Sequence, residues 1–206
     1  MAIKVGDTVV ISDTGKVLGV DQPKVGISTT VIDTPVSSLS ISLGDIEYDR
    51  YEVEMINIGV DQSTKVRVAL IDPNGSVYSS QTLYKGQYAY AKSSTNGNLY
   101  QQGNYVILTF SEDVPSGNES SLNVVMQFQG LQDYAVGKVR FSYTGGYLYY
   151  ISGVYRPMWI QGWGNVLESP PFTEETRPSG LKFFLEQGSS SFTRGRINLW
   201  GLKDPS

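Results

Sequence analysis

Residues 191–203 read SFTRGRINLWGLK, and their pattern decides the fold class. Ile197 and Leu199 mark an apolar phase with a period of two, which Phe192 joins across a shift of phase, as fits a strand that buries one face. Chain ends are usually polar and frayed, so an apolar terminal strand carrying Trp200 is expected to be stitched into a sheet. Gly195 interrupts the alternation and marks the place where a bulge would shift the phase.

The same short apolar runs recur upstream every ten to twenty residues, at 37–43 (SSLSISL), 51–58 (YEVEMINI), 65–71 (KVRVALI), 77–83, 105–110 (YVILTF), 121–129 (SLNVVMQFQ), 138–143 (KVRFSY), 148–153 (LYYISG) and 181–185 (LKFFL). Turn chemistry separates most of them, Asp72-Pro73-Asn74-Gly75 most plainly. No window carries the i, i+3, i+4, i+7 stripe of an amphipathic helix. The expected fold is all-β, an antiparallel β-sandwich of eight to ten strands, jelly-roll-like. Residues 84–100 (YKGQYAYAKSSTNGNLY) and 155–178 (YRPMWIQGWGNVLESPPFTEETRP) read as long aromatic loops, and loops of that length are usually functional.

The first twenty residues form three short β-like runs, through Ile3 and Val5, through Val9 and Ile11, and through Val17 and Val20. Such a piece is too small to be stable alone. It reads, with the Pro- and Gly-broken stretch 21–35, as a docking and oligomerisation segment (1–35) preceding a sandwich domain (36–206).

The 206 residues contain no cysteine and no histidine. Disulfides, thiolate chemistry, His-based triads and the common zinc sites are thereby excluded. With 16 basic against 20 acidic residues, a formal charge of −4, the chain has no electrostatic footprint for nucleic acid. No apolar run reaches the length of a membrane span, and the first residues lack the pattern of a signal peptide. Synthesis in a cytoplasm, with no cofactor and no membrane insertion, is expected.

Carboxylates are the only remaining catalytic residue type. Asp45, Glu47, Asp49, Glu52 and Glu54 lie close in sequence, but alternation in 51–58 places Glu52 and Glu54 on a solvated phase. Glu174 and Glu175 have no evident partner acid, and the Asp72 turn lacks calcium-loop spacing. No catalytic residue and no metal ligand is assigned. The aromatic residues are more informative. Tyr147, Tyr149, Tyr150, Tyr155, Trp159 and Trp163, with Arg156, Gln161 and Asn165 among them, suit three roles: a protein interface, core packing, or stacking on a glycan.

Several local patterns resemble distal domains of tailed-bacteriophage virion proteins, above all fibre and receptor-binding proteins. Ala2-Ile3-Lys4-Val5 running to Val10-Ile11 is similar to the opening of tail-fibre-like chains of cyanobacterial viruses. Tyr48-Asp49-Arg50-Tyr51-Glu52-Val53, Val68-Ala69-Leu70 and Asn74-Gly75 resemble that family's paired strands. Phe192 to Gly195, Ile197, Leu199 and Trp200-Gly201-Leu202-Lys203 resemble its closing strand. Trp200 stands where a tyrosine is common, and Ser76 replaces a second glycine after Gly75. The resemblance implies a virion structural protein, without enzymatic activity, that mediates host attachment as a tail-fibre or tail-tip component. It also implies a homotrimer, docking onto other virion proteins through Ile3, Val5, Val9 and Ile11, and by their residue types Tyr147, Tyr149, Tyr155, Arg156, Trp159, Gln161, Trp163 and Asn165 are the candidates for contact with a partner protein or a host surface glycan. A capsid decoration or head-fibre protein fits the same patterns. From a different class come a glycan-binding module and a polysaccharide depolymerase.

Overall fold

The computed structural model describes residues 3–5, 8–11, 24–44, 48–78, 83–92, 95–109, 113–117, 121–131, 139–167 and 177–202, and among these there is no helix. β1 (Ile3–Val5) and β2 (Thr8–Ile11) pair with each other. The remaining strands are β3 (Val25–Ile32), β4 (Ser38–Ser42), β5 (Arg50–Val60), β6 (Val66–Ile71), β7 (Leu83–Lys92), β8 (Thr95–Gly103), β9 (Val106–Ile107), β10 (Leu122–Gln129), β11 (Val139–Ile151), β12 (Val154–Leu167), β13 (Gly180–Leu185) and β14 (Phe192–Leu202). They form an eight-stranded antiparallel sheet, β3-β14-β5-β10-β11-β12-β7-β8, and a four-stranded one, β4-β13-β6-β9. Both sheets contribute to one core, in which Val53, Met126 and Leu199 of the larger sheet join Val68, Leu70 and Phe183 of the smaller.

The closing segment is β14, hydrogen-bonded on one side to β3 and on the other to β5. Phe192, Ile197 and Leu199 are fully buried. Gly195 sits at a φ of 124°, where the pairing with β5 shifts register between Arg194 and Arg196. A left-handed backbone angle of that kind suits glycine, and the bulge restores the inward phase at Ile197.

Four pairings are nested along the chain. β3 pairs with β14, β4 with β13, β5 with β10 and β6 with β9, so each pair encloses the next. Two hairpins are inserted into this plan: β7–β8 between β6 and β9, and β11–β12 between β10 and β13. Both widen the larger sheet on one side, beyond β10.

These hairpins correct the sequence reading. Residues 84–100 are not a loop but most of β7 and β8, and 154–167 form β12, leaving 168–176 outside the described residues. The inward positions of β12 include Gly162 and Gly164, and those of β7 are Tyr84, Gly86, Tyr88 and Tyr90. Neither set shows aliphatic alternation, so the strand period was hidden. Tyrosine suits this site because it reaches the narrower sheet and satisfies backbone there. The Leu70 N–H donates to the Tyr84 hydroxyl at 2.6 Å, and the Tyr143 hydroxyl donates to the Ile107 carbonyl at 3.3 Å. Desolvation pushes the Tyr143 and Tyr88 hydroxyls well above the ordinary tyrosine range, so both stay protonated.

Other differences are smaller. Residues 139–143 and 148–151 of two expected runs belong to one strand, β11, and the two-residue turn Ser152-Gly153, with φ of 51° and 82°, leads from it into β12. Within 77–83, Val77 makes an isolated bridge to Ile71, and among the described residues of 105–110 the two-residue β9 is the strand. β3 falls inside the segment 1–35, yet pairs with β14 in the sandwich. The run 17–20 lies outside the described residues.

The glycines of β12 give a direct test. A Cβ on Gly164 would lie 2.2 Å from the Lys85 carbonyl oxygen and 2.7 Å from the Phe141 ring, whereas one on Gly103 would meet nothing within 4 Å. Gly164→Ala is expected to cost about 1–3 kcal/mol, seen as a lower urea midpoint at unchanged slope. Gly103→Ala should stay within about 0.5 kcal/mol of the parent.

Candidate functional site on the outer face of the larger sheet

With Ile160, Gly162, Gly164 and Val166 turned inward, alternation along β12 turns Trp159, Gln161, Trp163 and Asn165 outward. Trp159 is 43% and Trp163 48% exposed. Four residues apart on one strand, they stand about 13 Å from each other. Their lateral neighbours leave the rings accessible. Trp159 lies between Gly146 of β11 and Ala91 of β7, and Trp163 between Ser142 and Gln87.

Register extends these positions into rows across the sheet. One row runs Tyr100, Gln87, Trp163, Ser142, Gln127, Glu52, Trp200, and Tyr100 is 59% exposed. Shallow grooves flank both tryptophans. Trp163 borders one of about 260 Å³ with Gln127, Gln129, Arg140, Ser142 and Asn165, and another of about 280 Å³ with Val125, Thr144 and Gln161. Trp159 borders one of about 390 Å³ with Ala89, Ala91, Asn96 and Asn98. It also borders one of about 480 Å³ with Glu54, Ile56, Asn123 and Val125. Trp163 is thus set mainly among amides and hydroxyls, and Trp159 between an amide-bearing groove and one with Ile56 and Val125, an arrangement that offers stacking and hydrogen bonds together.

Of the eight residues expected to contact a glycan or partner, Trp159, Gln161, Trp163 and Asn165 come together on this face. Tyr155 shares their phase near the β11–β12 turn, where its ring packs 5.0 Å from that of Tyr150. Arg156 takes the opposite phase, across from Tyr149. Tyr147 and Tyr149 are buried in the core and are unavailable to an outside ligand, because the inward face of β11 must be filled. Tyr100, Gln87, Gln127, Gln129 and Ser142 were missed. The alternation Asn96, Asn98, Tyr100 was the signal for β8, while the others needed the register. Of the docking residues, Ile3 and Val5 lie in β1, Val9 and Ile11 in β2, and Ile3 stands opposite Ile11.

At the β5–β14 side of the same face lies a closed polar cluster. Glu52, expected to be solvated, is only 4% exposed. Lys24 and Gln127, at 2.7 Å, occupy its two oxygens, which makes its burial tolerable. Lys24 also reaches Glu54 at 3.5 Å, Asn198 donates to Glu54 at 3.2 Å, and Thr29 donates to Asn198 at 3.1 Å. Hydrogen bonding to Glu52 is the main cause that raises the Lys24 pKa above its ordinary value. Burial pushes Glu54 upward, but Asn198, the Trp200 indole and the Lys24 charge together outweigh it, and its pKa lies below the ordinary 4.5. A carboxyl held ionised is a poor general acid for glycoside cleavage. Asp45, Glu47, Glu174 and Glu175 lie outside the described residues. The Asp72 carboxylate closes its own turn, accepting from the Asn74 and Ser76 N–H groups at 2.8 Å each. Comparison of the chain with protein-family models, with curated proteins and with solved structures found no match.

The Glu54 shift sets a pH dependence. A carboxyl whose pKa is depressed on folding adds stability that is complete above the unfolded value and is lost as pH falls through the folded one. Urea midpoints of the parent should therefore drop as pH falls below about 4.5. Glu54→Gln, less stable at neutral pH, should drop less over the same range. Parallel curves for the two would contradict the assignment.

Proposed function

We propose that the chain is a non-enzymatic attachment protein of a tailed-phage virion, and that the outer face of its larger sheet binds a surface glycan. The observation that carries this reading is the pair Trp159 and Trp163, exposed on one strand face, the first flanked by Gly146 and Ala91 and the second by Ser142 and Gln87, with Gln and Asn side chains in the grooves beside them. Pyranose rings stack their C–H faces on such indoles while their hydroxyls bond to Gln and Asn side chains. The nested strand pairing supports a jelly-roll reading of the sandwich, a plan used by viral capsid and lectin domains. Fold alone does not assign function, but this plan is consistent with the phage-like motifs at Tyr48–Val53 and at the closing strand. In this reading β1 and β2 belong to the segment that docks on other virion proteins as a homotrimer. Weak single sites are then multiplied by copy number, with gains of about 10²–10⁴ in avidity.

Gold-labelled antibody on intact particles, together with inhibition of adsorption by the purified chain, tests this. Label at the tail tip or fibres, and inhibition that Trp159→Ala/Trp163→Ala weakens about tenfold or more, are expected. Label spread over the head would overturn the attachment role in favour of a decoration protein. Equal inhibition by parent and double variant would remove the tryptophan face from it.

A further inference from the structure

Resting on that reading of the tryptophan face, we infer that its saccharide is anionic, and that Arg140 and Lys85 receive the sugar's acidic group beside Trp163. One residue pair beyond the Trp163 row, register aligns Arg50, Gln129, Arg140, Asn165 and Lys85 across five adjacent strands. This row holds three cations and no carboxylate, on a chain whose net charge is −4. Arg140 is exposed and lines the same groove of about 260 Å³ as Trp163, Asn165, Gln127 and Gln129. Lys85, half-buried on β7, is the cross-strand partner of Asn165, two strands from Arg140 and so about 10 Å away.

The two halves of the face differ in charge. On the β5–β14 side, Lys24 is taken up by Glu52 and Glu54. Among the described residues no carboxylate pairs with Arg140 or Lys85. A guanidinium presents a planar fork that matches carboxylate or sulfate oxygens in two parallel bonds, stronger than neutral ones. A ring stacked on Trp163 carries its exocyclic acid within reach of that fork, with Asn165 and Gln129 left for hydroxyls. A neutral sugar would bring neither cation a counter-charge.

Titration of the full chain, followed by tryptophan fluorescence, tests the inference with four probes: an oligogalacturonate, its methyl ester, a κ-carrageenan oligosaccharide and a dextran oligosaccharide. Expected is binding of at least one acidic probe about tenfold or more tighter than ester and dextran, as befits a hydrogen bond to a charged group, weakening with added salt. Preference for galacturonate assigns a carboxylate, and preference for carrageenan a sulfate. Arg140→Gln and Lys85→Gln, at positions that fill no core, should erase the preference while Trp163→Ala abolishes binding of every probe. Equal binding of acid and ester, with no response to salt, would overturn the anionic assignment and leave the tryptophan face standing. Binding of none of the four would overturn both.

Discussion

Aromatic rings lying over glycines hold the widened half of the larger sheet together. A Cβ on Gly162 would meet the Tyr143 ring at 2.4 Å, one on Gly164 or Gly86 would meet Phe141 at 2.7 and 3.1 Å, and one on Gly97 would meet Tyr90 at 2.5 Å. Each ring fills the space its cross-strand glycine leaves, so the inward face of β11, β12, β7 and β8 is closed by ring packing. That interlock fixes the phase of β12. Because the side-chain period is two, a slip of one residue would turn Trp159 and Trp163 into the core and expose Gly162 and Gly164. The open tryptophan face is a consequence of what the glycines face.

Four strands cannot cover eight. Beyond β10 the larger sheet has the edge strand β9 and the loops beside it as its nearest cover, and Tyr84 and Tyr143 span that distance with hydroxyls that end on the backbone of β6 and β9. The inserted hairpins therefore extend the sheet without demanding a second aliphatic core. Their outer face carries tryptophan, amides and the cations Arg140 and Lys85, which meet no carboxylate among the described residues, while the β5–β14 region of the same face is closed by the Lys24–Glu52–Gln127 and Glu54–Asn198–Thr29 bonds.

The sandwich was legible wherever inward positions are aliphatic. Val124 and Met126 of β10, Val53 and Met55 of β5, and Ile197 and Leu199 of β14 declare their strands by simple alternation. β12 and β7 did not, because Gly162 and Gly164 break the inward series Met158, Ile160, Val166 of β12, and the inward residues of β7 are tyrosine and glycine, types that read as surface or as turn. Half of the candidate site was nonetheless visible in Trp159, Gln161, Trp163 and Asn165, which share one phase of a strand that looked like a loop. Tyr147 and Tyr149 were misplaced because tyrosine serves equally as a ligand contact and as core. The burial of Glu52 was beyond local reading, since it depends on Lys24, 28 residues away, and Gln127, 75 residues away.

The central claim is that the two tryptophans of β12 are the contact surface for a saccharide. The most direct measurement is the indole region of a ¹H–¹⁵N spectrum, where each of the three tryptophans gives one resonance, recorded during titration with fragments of host-envelope polysaccharide. The expected result is that Trp159 and Trp163 shift in a saturable manner while Trp200, half-buried beside Gly26, stays in place. Unmoved Trp159 and Trp163 signals at saturating polysaccharide would contradict it.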